Sequence, residues 1–589
     1  MAAIGGLFLL VFAVFWPCLS LGFVYDDAFR MEELPFLNQN PARALLRPRG
    51  LTYAFHLLDY RIWGDQAFGY HLTNLMLHAL AVLSVYALIF TWRRRFWLAL
   101  LTAAFFAVNP IHLEVVVSFV NRKDILAFIG IALGLTLLLR APAKSPSHLF
   151  FAGCCFAAAF AAKEIAVVGV FLFGVWYQWQ AGQKPFNRPN LQKPWVLGAL
   201  FALPLLLAVA LAAHQGLFQN QAVRELYGGE IQHYGGVLLQ VLANLPVQLH
   251  QVSGYGNLAA EYPLRPDYDR VAYAFVGGLL LLLFAGLIIF RQQKQIAAIA
   301  AAWFFLTWLP TANFIPLTPY FLADRYLYTP SLAAALVFAH LVLDVSGLNP
   351  KKNPTGFATI TGLFLATFIG ISFLNIKHWQ SEEALWQNAI KEAGSTYRAH
   401  VILGSLAMQA NRIDEAETHY KEALIIRPNV YETHLRLMLV YAKNDRFTEA
   451  LPHAERVLNH IPNQAEALRV TGMQALLDQR YADAVQPFRK LFGQEPGRAD
   501  VANNLAWLLS AAPDPNLHSI KEAIIYAEKA VAASNSTNPA YLYTLAVALA
   551  RDQRGEEALS RLQQAKTLAE AQGNQRLLDQ INRLLAGPQ

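Results

Sequence analysis

The chain has 589 residues, of which 55% are hydrophobic and only 15% are charged, and its formal net charge is +7. This composition is too apolar for an ordinary soluble protein and predicts a membrane protein with a more polar C-terminal part. Three cysteines, all in apolar runs, predict no disulfide framework. The positive net charge is better explained by membrane topology than by binding to nucleic acid.

The first 376 residues contain eleven apolar stretches that we predict to span a membrane. They cover residues 4–22, 71–91, 96–112, 124–139, 148–162, 165–180, 195–213, 271–290, 295–310, 327–343 and 357–375. Several are shorter than the about 20 residues of a perpendicular span, so the prediction requires tilting or local thinning of the bilayer. No small-residue cleavage site follows the first stretch, which favours a span over a signal peptide.

Positive charge in the loops predicts the orientation of these spans. Twelve Lys or Arg residues and no acid occupy alternate loops, at 93–95, 140–148, 183–193, 291–294 and 348–354. Loops of this kind face the cytoplasm. The opposite loops, two of them long, and the region after residue 376 are therefore predicted to lie outside.

Ionisable side chains gather at the outer ends of the predicted spans. Asp26 and Asp27 follow the first span, and the other groups are Arg122 and Lys123 with Asp124, Lys163 with Glu164, and Arg325 with Asp324. Any one group could cap a span in the headgroup layer. Charges at membrane depth cost about 2.5–3.5 kcal/mol each, so a set on one side favours a cavity or a substrate path, in an enzyme or in a transporter.

Such a set has the parts needed for group transfer at a membrane surface. A carboxylate can accept the proton of a hydroxyl. Cations or a metal ion can hold the charge that develops on an expelled phosphate. Transfer of a sugar from a polyprenyl-phosphate carrier needs both, and neither a zinc-binding spacing nor a nucleotide-binding loop is visible in the sequence.

A 34-residue repeat begins near residue 378. Prolines recur at Pro428, Pro462 and Pro496, and small residues recur at fixed offsets from them. This pattern is typical of tetratricopeptide repeats, and it predicts an α-solenoid of about five repeats plus a capping helix over residues 377–589. Such a solenoid usually offers a groove for a peptide or protein segment; a rigid spacer or an oligomerisation surface is the alternative.

Six segments resemble, in order, the motifs of one family. They are YDDAF (25–29), RPRGLTYAFHLLDYRIWGDQAFGYHLTNLMLHAL (47–80), NPIHLEVVVSFVNRKDILA (109–127), AKEIA (162–166), YPLRPDYD (262–269) and ADRYLYTPS (323–331). With the repeats, they resemble the transmembrane and tetratricopeptide-repeat-containing O-mannosyltransferases and their bacterial relatives, in the C-type glycosyltransferase superfamily. Asn109, Asn121 and Asp324 depart from the family pattern of His, Gly and Glu, which leaves the identity of the sugar open.

The resemblance implies an all-α protein, with a membrane-embedded C-type glycosyltransferase domain over residues 1–376 followed by the solenoid. It implies that Asp26 or Asp27 is the general base, and that the other acid orients the acceptor or holds a divalent cation such as Mg²⁺ or Mn²⁺. The residues expected to bind the donor phosphate and the sugar are Arg325, Lys163, Arg122, Lys123, Glu164, Asp124, His112, Glu114 and Tyr328. For His56, His71 and His78 we favour packing roles over catalysis.

The expected activity is transfer of a sugar from a polyprenyl-phosphate donor to an acceptor hydroxyl, on a protein engaged by the repeats, at the outer or luminal face. Two alternatives remain: a transferase of the same fold that modifies glycolipid or polysaccharide, and a non-enzymatic membrane scaffold that presents repeats. The scaffold would need neither the acidic pair nor the cations. Short loops favour a bacterial inner membrane with periplasmic repeats over an endoplasmic reticulum membrane with luminal repeats.

Overall fold

A computed structural model describes residues 2–140, 146–169, 234–255, 258–262, 270–289, 295–312, 322–346, 348 and 350–586. All the regular secondary structure of these residues is helical, as predicted. By packing, the chain divides into two compact units, Met1–Ala399 and His400–Gln589. The predicted domain division lies after residue 376, and the helix that follows it packs against the start of the chain through Trp386 and Tyr25, whose ring centroids are 5.7 Å apart.

The helices of the first unit connect through short loops and 3₁₀ turns. They are α1 (Ala2–Phe15), α2 (Asp26–Gln39), α3 (Pro41–Leu45), α4 (Gly50–Trp63), α5 (Ala67–Arg93), α6 (Phe96–Val108), α7 (Leu113–Val117), α8 (Arg122–Arg140), α9 (Pro146–Ala162), α10 (Tyr234–His250), α11 (Arg270–Ile289), α12 (Gln295–Trp308), α13 (Ser331–His340), α14 (Pro354–Ile376), α15 (Glu382–Ala393) and α16 (Tyr397–Gln409), the last continuing into the second unit.

Three described helices are long and apolar enough to cross a membrane: Ala2–Ser20, Ala67–Arg93 and Pro354–Trp379. A fourth span results if Phe96–Val108 and Pro110–Val117, which are bent by 53° relative to each other, are taken as one. The protein is therefore a membrane protein, while the described residues do not confirm about eleven spans. Predicted span 195–213 and all but the start of 165–180 lie outside them.

Four short 3₁₀ turns break the helices where the family-like motifs lie. The turns are Pro110–His112, Phe119–Asn121, Glu164–Val167 and Asp324–Leu327. Pro110 cannot donate a backbone hydrogen bond, and the side chain of Asn109 accepts one from the N–H of Ile111 at 3.1 Å, which starts the first turn. Because turns expose side chains that a continuous helix would direct elsewhere, they bring charged residues of distant segments together.

The second unit is a series of antiparallel helix pairs. Its further helices are α17 (Ile413–Ile426), α18 (Tyr431–Lys443), α19 (Phe447–His460), α20 (Ala465–Leu477), α21 (Tyr481–Gln494), α22 (Ala499–Ser510), α23 (Ile520–Ala533), α24 (Pro539–Arg551), α25 (Gly555–Ala571) and α26 (Gln575–Leu585). A Cβ on Gly404 would come within 2.7 Å of the Tyr420 ring, and a Cβ on Gly472 equally close to Phe488. The small residues of the repeat are thus required by close packing, which confirms the predicted solenoid.

Histidine pairs recur at the same offset in two successive repeats. The Nδ1 atoms of His400 and His419 are 3.0 Å apart, and those of His434 and His453 are 2.7 Å apart. In the second pair, the other ring nitrogen of His434 bonds to the carbonyl of Pro428 at 2.9 Å. That nitrogen must donate, so in the neutral pair His434 accepts from His453.

Candidate functional site

The two adjacent acids have different surroundings, and Asp27 is buried. Its Oδ1 accepts hydrogen bonds from the hydroxyl of Ser118 at 2.7 Å and the N–H of Val120 at 3.0 Å, while its Oδ2 accepts from the N–H of Phe119 at 3.0 Å. Burial raises the pKa of Asp27 to about 7 although these three donors oppose the shift. Asp27 therefore closes the turn Phe119–Asn121 and has the contacts of a structural group.

Asp26, by contrast, has a side chain that is 39% exposed and forms an ion pair with Arg398 at 3.1 Å. The residue before it, Tyr25, has φ 63° and ψ −135°, a conformation that is rare and strained for a tyrosine. Its backbone N–H donates to Glu382, which holds this conformation. The strained residue starts α2 so that Asp27 faces inward and Asp26 faces outward.

A buried ion pair lies next to the hydroxyl of Tyr25. Nη1 of Arg325 is 2.5 Å from Oε1 of Glu114, and the backbone N–H of Arg325 donates to Oε2 of the same carboxylate at 2.8 Å. Nη1 of Arg325 also lies 3.5 Å from the Tyr25 hydroxyl. The Glu114 carboxylate thus fixes both the backbone and the side chain of Arg325 next to the residue that precedes Asp26.

Lys123 occupies a concentration of positive charge. Its ammonium donates to the carbonyl of Val120 at 3.1 Å and to Oδ1 of Asn121 at 3.0 Å, which are neutral oxygens. Burial, the largest cause, and the neighbouring cations Lys163, Arg325 and Arg49 together lower the pKa of Lys123 to about 7 against the effect of Asp124. An anion bound here would offset both the cost of burying the Lys123 ammonium and its repulsion by the neighbouring cations.

The other cations of this group have carboxylate partners. Lys163 forms an ion pair with Asp124 at 2.5 Å, with both side chains buried. Arg49 binds Glu164 through two hydrogen bonds of 2.5 and 3.0 Å, and these bonds lower the pKa of Glu164 to about 2. The structure thus brings together Lys123, Lys163, Arg325 and Arg49, which we call the cation cluster.

Arg122, which the sequence grouped with these cations, is fully buried instead. It donates to Asn74 at 2.7 Å, to the carboxylate of Asp59 at 2.5 Å and to the carbonyl of Tyr70 at 3.2 Å. These contacts join α8 to α4 and α5. Arg122 thus has the position of a core residue, and its predicted contact with a phosphate finds no support there.

His112 and Tyr328, also predicted to bind substrate, lie in a buried aromatic cluster, with ring centroids 4.5 Å apart. His112 bonds to the hydroxyl of Ser331 at 2.7 Å, and the Tyr328 hydroxyl bonds to His78 at 2.8 Å. His56 bonds to the carbonyl of Phe119 at 3.1 Å, and His71 is buried. These are the contacts and the burial of packed side chains, which is the role that we favoured for His56, His71 and His78.

The two acids of the pair have different partners. Asp27 directs its oxygens at backbone and hydroxyl donors, whereas Asp26 faces Arg398. In the part of the chain that the structure describes, no group of three or more His, Cys, Asp or Glu side chains could hold a metal ion.

Comparison with known proteins finds a repeat family in the C-terminal part of the chain and relatives that align with most of it. A tetratricopeptide repeat family model matches residues 380–430 and 435–499. Protein O-mannosyl-transferase TMTC3 of Mus musculus is 23% identical over 510 residues, covering 75% of this chain and 53% of that protein. For protein O-mannosyl-transferase Tmtc1 of Drosophila melanogaster the identity is 23% over 545 residues, covering 74% and 63%. The chain is thus similar to this family over about three quarters of its length.

The predicted resemblance is thereby confirmed, and the chain spans about half the length of the curated relatives it matches. Among solved structures, the crystal structure of MamA protein aligns with 31% of this chain and 96% of its own, at 18% sequence identity and a TM-score of 0.26.

Several residues of the site were not predicted from the sequence. Arg49 lies within the motif at 47–80, and Tyr25 is the first residue of the motif at 25–29. Both could have been found by considering every residue of these motifs. Glu382, Trp386 and Arg398 lie in the stretch that the sequence assigned to the repeats. Their contacts with Tyr25 and Asp26 join positions more than 350 residues apart, and no local pattern signals them.

Proposed function

We propose that this protein is a membrane glycosyltransferase that moves a sugar from a polyprenyl-phosphate donor to a hydroxyl of an acceptor protein. The observation that carries the proposal is a half-exposed carboxylate, Asp26, that directly follows Tyr25, whose hydroxyl lies 3.5 Å from the buried cation Arg325. The names of the relatives favour a protein acceptor, and they make mannose the first sugar to test.

Asp26 is the general base in this mechanism. Its carboxylate takes the proton of the acceptor hydroxyl as the acceptor oxygen forms a bond to the anomeric carbon of the sugar. The bond between that carbon and the phosphate oxygen breaks, and polyprenyl phosphate leaves with the electron pair. Asp27 is unsuited to this role because its oxygens already accept three hydrogen bonds and it is buried.

The cation cluster stabilises the leaving phosphate. Lys123 is the strongest candidate for direct contact because its hydrogen bonds go to neutral oxygens. Arg325 and Lys163 add fixed positive charge, and their carboxylate partners, Glu114 and Asp124, hold them in place before the donor arrives. The protein supplies the charge itself, and no step in this mechanism requires a metal ion.

The proposal includes about eleven spans, with the acids, the cation cluster and the repeats on the outer or luminal side. This orientation is supported by the loops that contain Lys and Arg but no acid. Such loops face the cytoplasm, so the acids, the cation cluster and the repeats are assigned to the other side of the membrane. The repeats would engage the acceptor protein. Short loops favour the bacterial inner membrane over the endoplasmic reticulum.

The test is transfer of mannose from polyprenyl-phosphate mannose to acceptor protein, with the purified full chain in detergent. Asp26→Asn keeps the shape of the side chain and removes the proton acceptor, so the rate should fall roughly 10²–10⁴-fold. Asp65→Asn, at another exposed acid of the same outer segment, is the matched control and should leave the rate unchanged. Wild-type turnover by a folded Asp26→Asn variant would refute the proposal.

A further inference from the structure

The segment that follows the last predicted span packs against the candidate base. Ser381 caps α15 by accepting from the N–H of Ala384 at 3.1 Å, and this places Glu382 in the first turn of the helix. The Glu382 carboxylate accepts from the backbone N–H of Tyr25 and from the indole N–H of Trp386, the latter at 2.8 Å. One carboxylate therefore fixes both the strained residue and the tryptophan beside it.

Arg398 extends this arrangement to the acid itself. Its guanidinium carbon lies 5.0 Å from the ring centroid of Tyr25 and 5.3 Å from that of Trp386, and Nη2 is 3.1 Å from Oδ1 of Asp26. Because Trp386 is fully buried, the aromatic rings set the position of the guanidinium. A planar guanidinium can stack on rings and donate from its edge at the same time, which an ammonium cannot do as well.

The ion pair contributes little to stability, since its side chains are 33% and 39% exposed. Exposed pairs of this kind typically add little to the stability of a protein. A stacked arginine held by two aromatic rings and aimed at the candidate base therefore has another use, namely the orientation of the carboxylate.

We propose that Arg398 is a positioning residue for Asp26. It binds Oδ1 and so directs Oδ2 toward the acceptor hydroxyl whose proton it takes. This inference rests on the proposed function, and it extends the machinery to a residue beyond the predicted membrane domain, in the stretch that we predicted to belong to the repeats.

The test compares Arg398→Gln and Arg398→Lys with wild type in the mannose transfer assay, using the full chain in detergent. We expect kcat to fall roughly 10–100-fold in the Gln variant with an unchanged KM for the donor, because a misplaced base affects the chemical step and not donor binding. The Arg398→Lys variant should keep part of the rate, since lysine retains the positive charge but cannot stack as a planar group on the rings. Arg412→Gln, which breaks an exposed ion pair with Glu415, is the matched control and should be silent.

A double variant separates positioning from a general structural effect. If Arg398 acts through Asp26, adding Arg398→Gln to Asp26→Asn should cause no further loss of kcat. A multiplied loss in the double variant would overturn the inference, and so would wild-type kcat in a folded Arg398→Gln variant while Asp26→Asn is inactive. Should the Gln variant fold poorly, Arg398→Lys takes its place, and a loss of kcat in Arg398→Lys that multiplies the loss in Asp26→Asn would overturn the inference equally. Full activity of the Asp26→Asn variant would instead refute the proposed function.

Discussion

Substitution of Asp27 by Asn tests whether the two adjacent acids have separate roles. In the structure three donors, from Ser118, Phe119 and Val120, face the two oxygens of Asp27. An asparagine has one oxygen and one NH₂ group, so at least one buried donor would meet another donor. An unsatisfied buried donor costs about 1–3 kcal/mol. We therefore expect Asp27→Asn to lower the free energy of unfolding by about this amount, and Asp26→Asn, at a half-exposed site, to leave it nearly unchanged.

The assay for this prediction is thermal or denaturant unfolding in detergent, run beside mannose transfer on the same preparations. Stability should also respond differently to pH. The folded-state pKa of Asp27 is raised to about 7 by burial, from an ordinary value of 3.8. The folded state then binds more protons than the unfolded state between these values, so this group's contribution to stability falls as pH rises from about 4 to 7.

Asp27→Asn should remove that component of the pH dependence. An Asp27→Asn variant as stable as wild type but inactive, beside an active Asp26→Asn variant, would refute the separation of roles and make Asp27 the base.

Three further predictions concern the cations, the solenoid and the topology. Lys123→Met should raise the KM for the donor roughly 10- to 150-fold, the loss of a charge-assisted hydrogen bond of about 1.5–3 kcal/mol, and an unchanged KM would exclude phosphate contact. Burial lowers the pKa of His434 and lowers that of His453 to about 4, so below pH 6.5 the unfolded chain binds more protons. Acidification from pH 7 to 5 should therefore lower the unfolding midpoint of the repeats by roughly 2–4 °C, and His453→Gln should reduce this shift, as followed by hydrogen exchange in α18 and α19. A reporter fused after Leu374 should read as external and one within 348–354 as cytoplasmic; the reverse result would contradict the orientation.

Much of the fold and part of the site could be predicted from the sequence. The repeat was visible because its helices start at regular intervals, as with Tyr431, Ala465 and Ala499. The acids and the cations of the turns were visible because charge is rare beside apolar runs. The sequence could not choose between Asp26 and Asp27, because their directions depend on the strained backbone of Tyr25, which Glu382 holds from far along the chain.

The sequence alone also could not separate core positions from surface positions. Arg122 and Lys123 are adjacent in sequence, yet one is fully enclosed by Asp59, Asn74 and Tyr70 while the other lies in the cation cluster. On a helix start, successive side chains point about 100° apart, and only the packing partners determine which one faces inward. The number of spans likewise depends on whether short apolar helices cross the bilayer, which helix length alone does not decide.

The contacts of Glu382, Trp386 and Arg398 with the start of the chain have a consequence for biosynthesis. These residues are translated after every predicted span. A nascent chain therefore contains Asp26 from the start of membrane insertion. The contact of Asp26 with Arg398 cannot form until the ribosome has passed residue 398. Products truncated or stalled before residue 398 would be inserted and yet inert, so the activity would depend on synthesis that continues beyond the last predicted span.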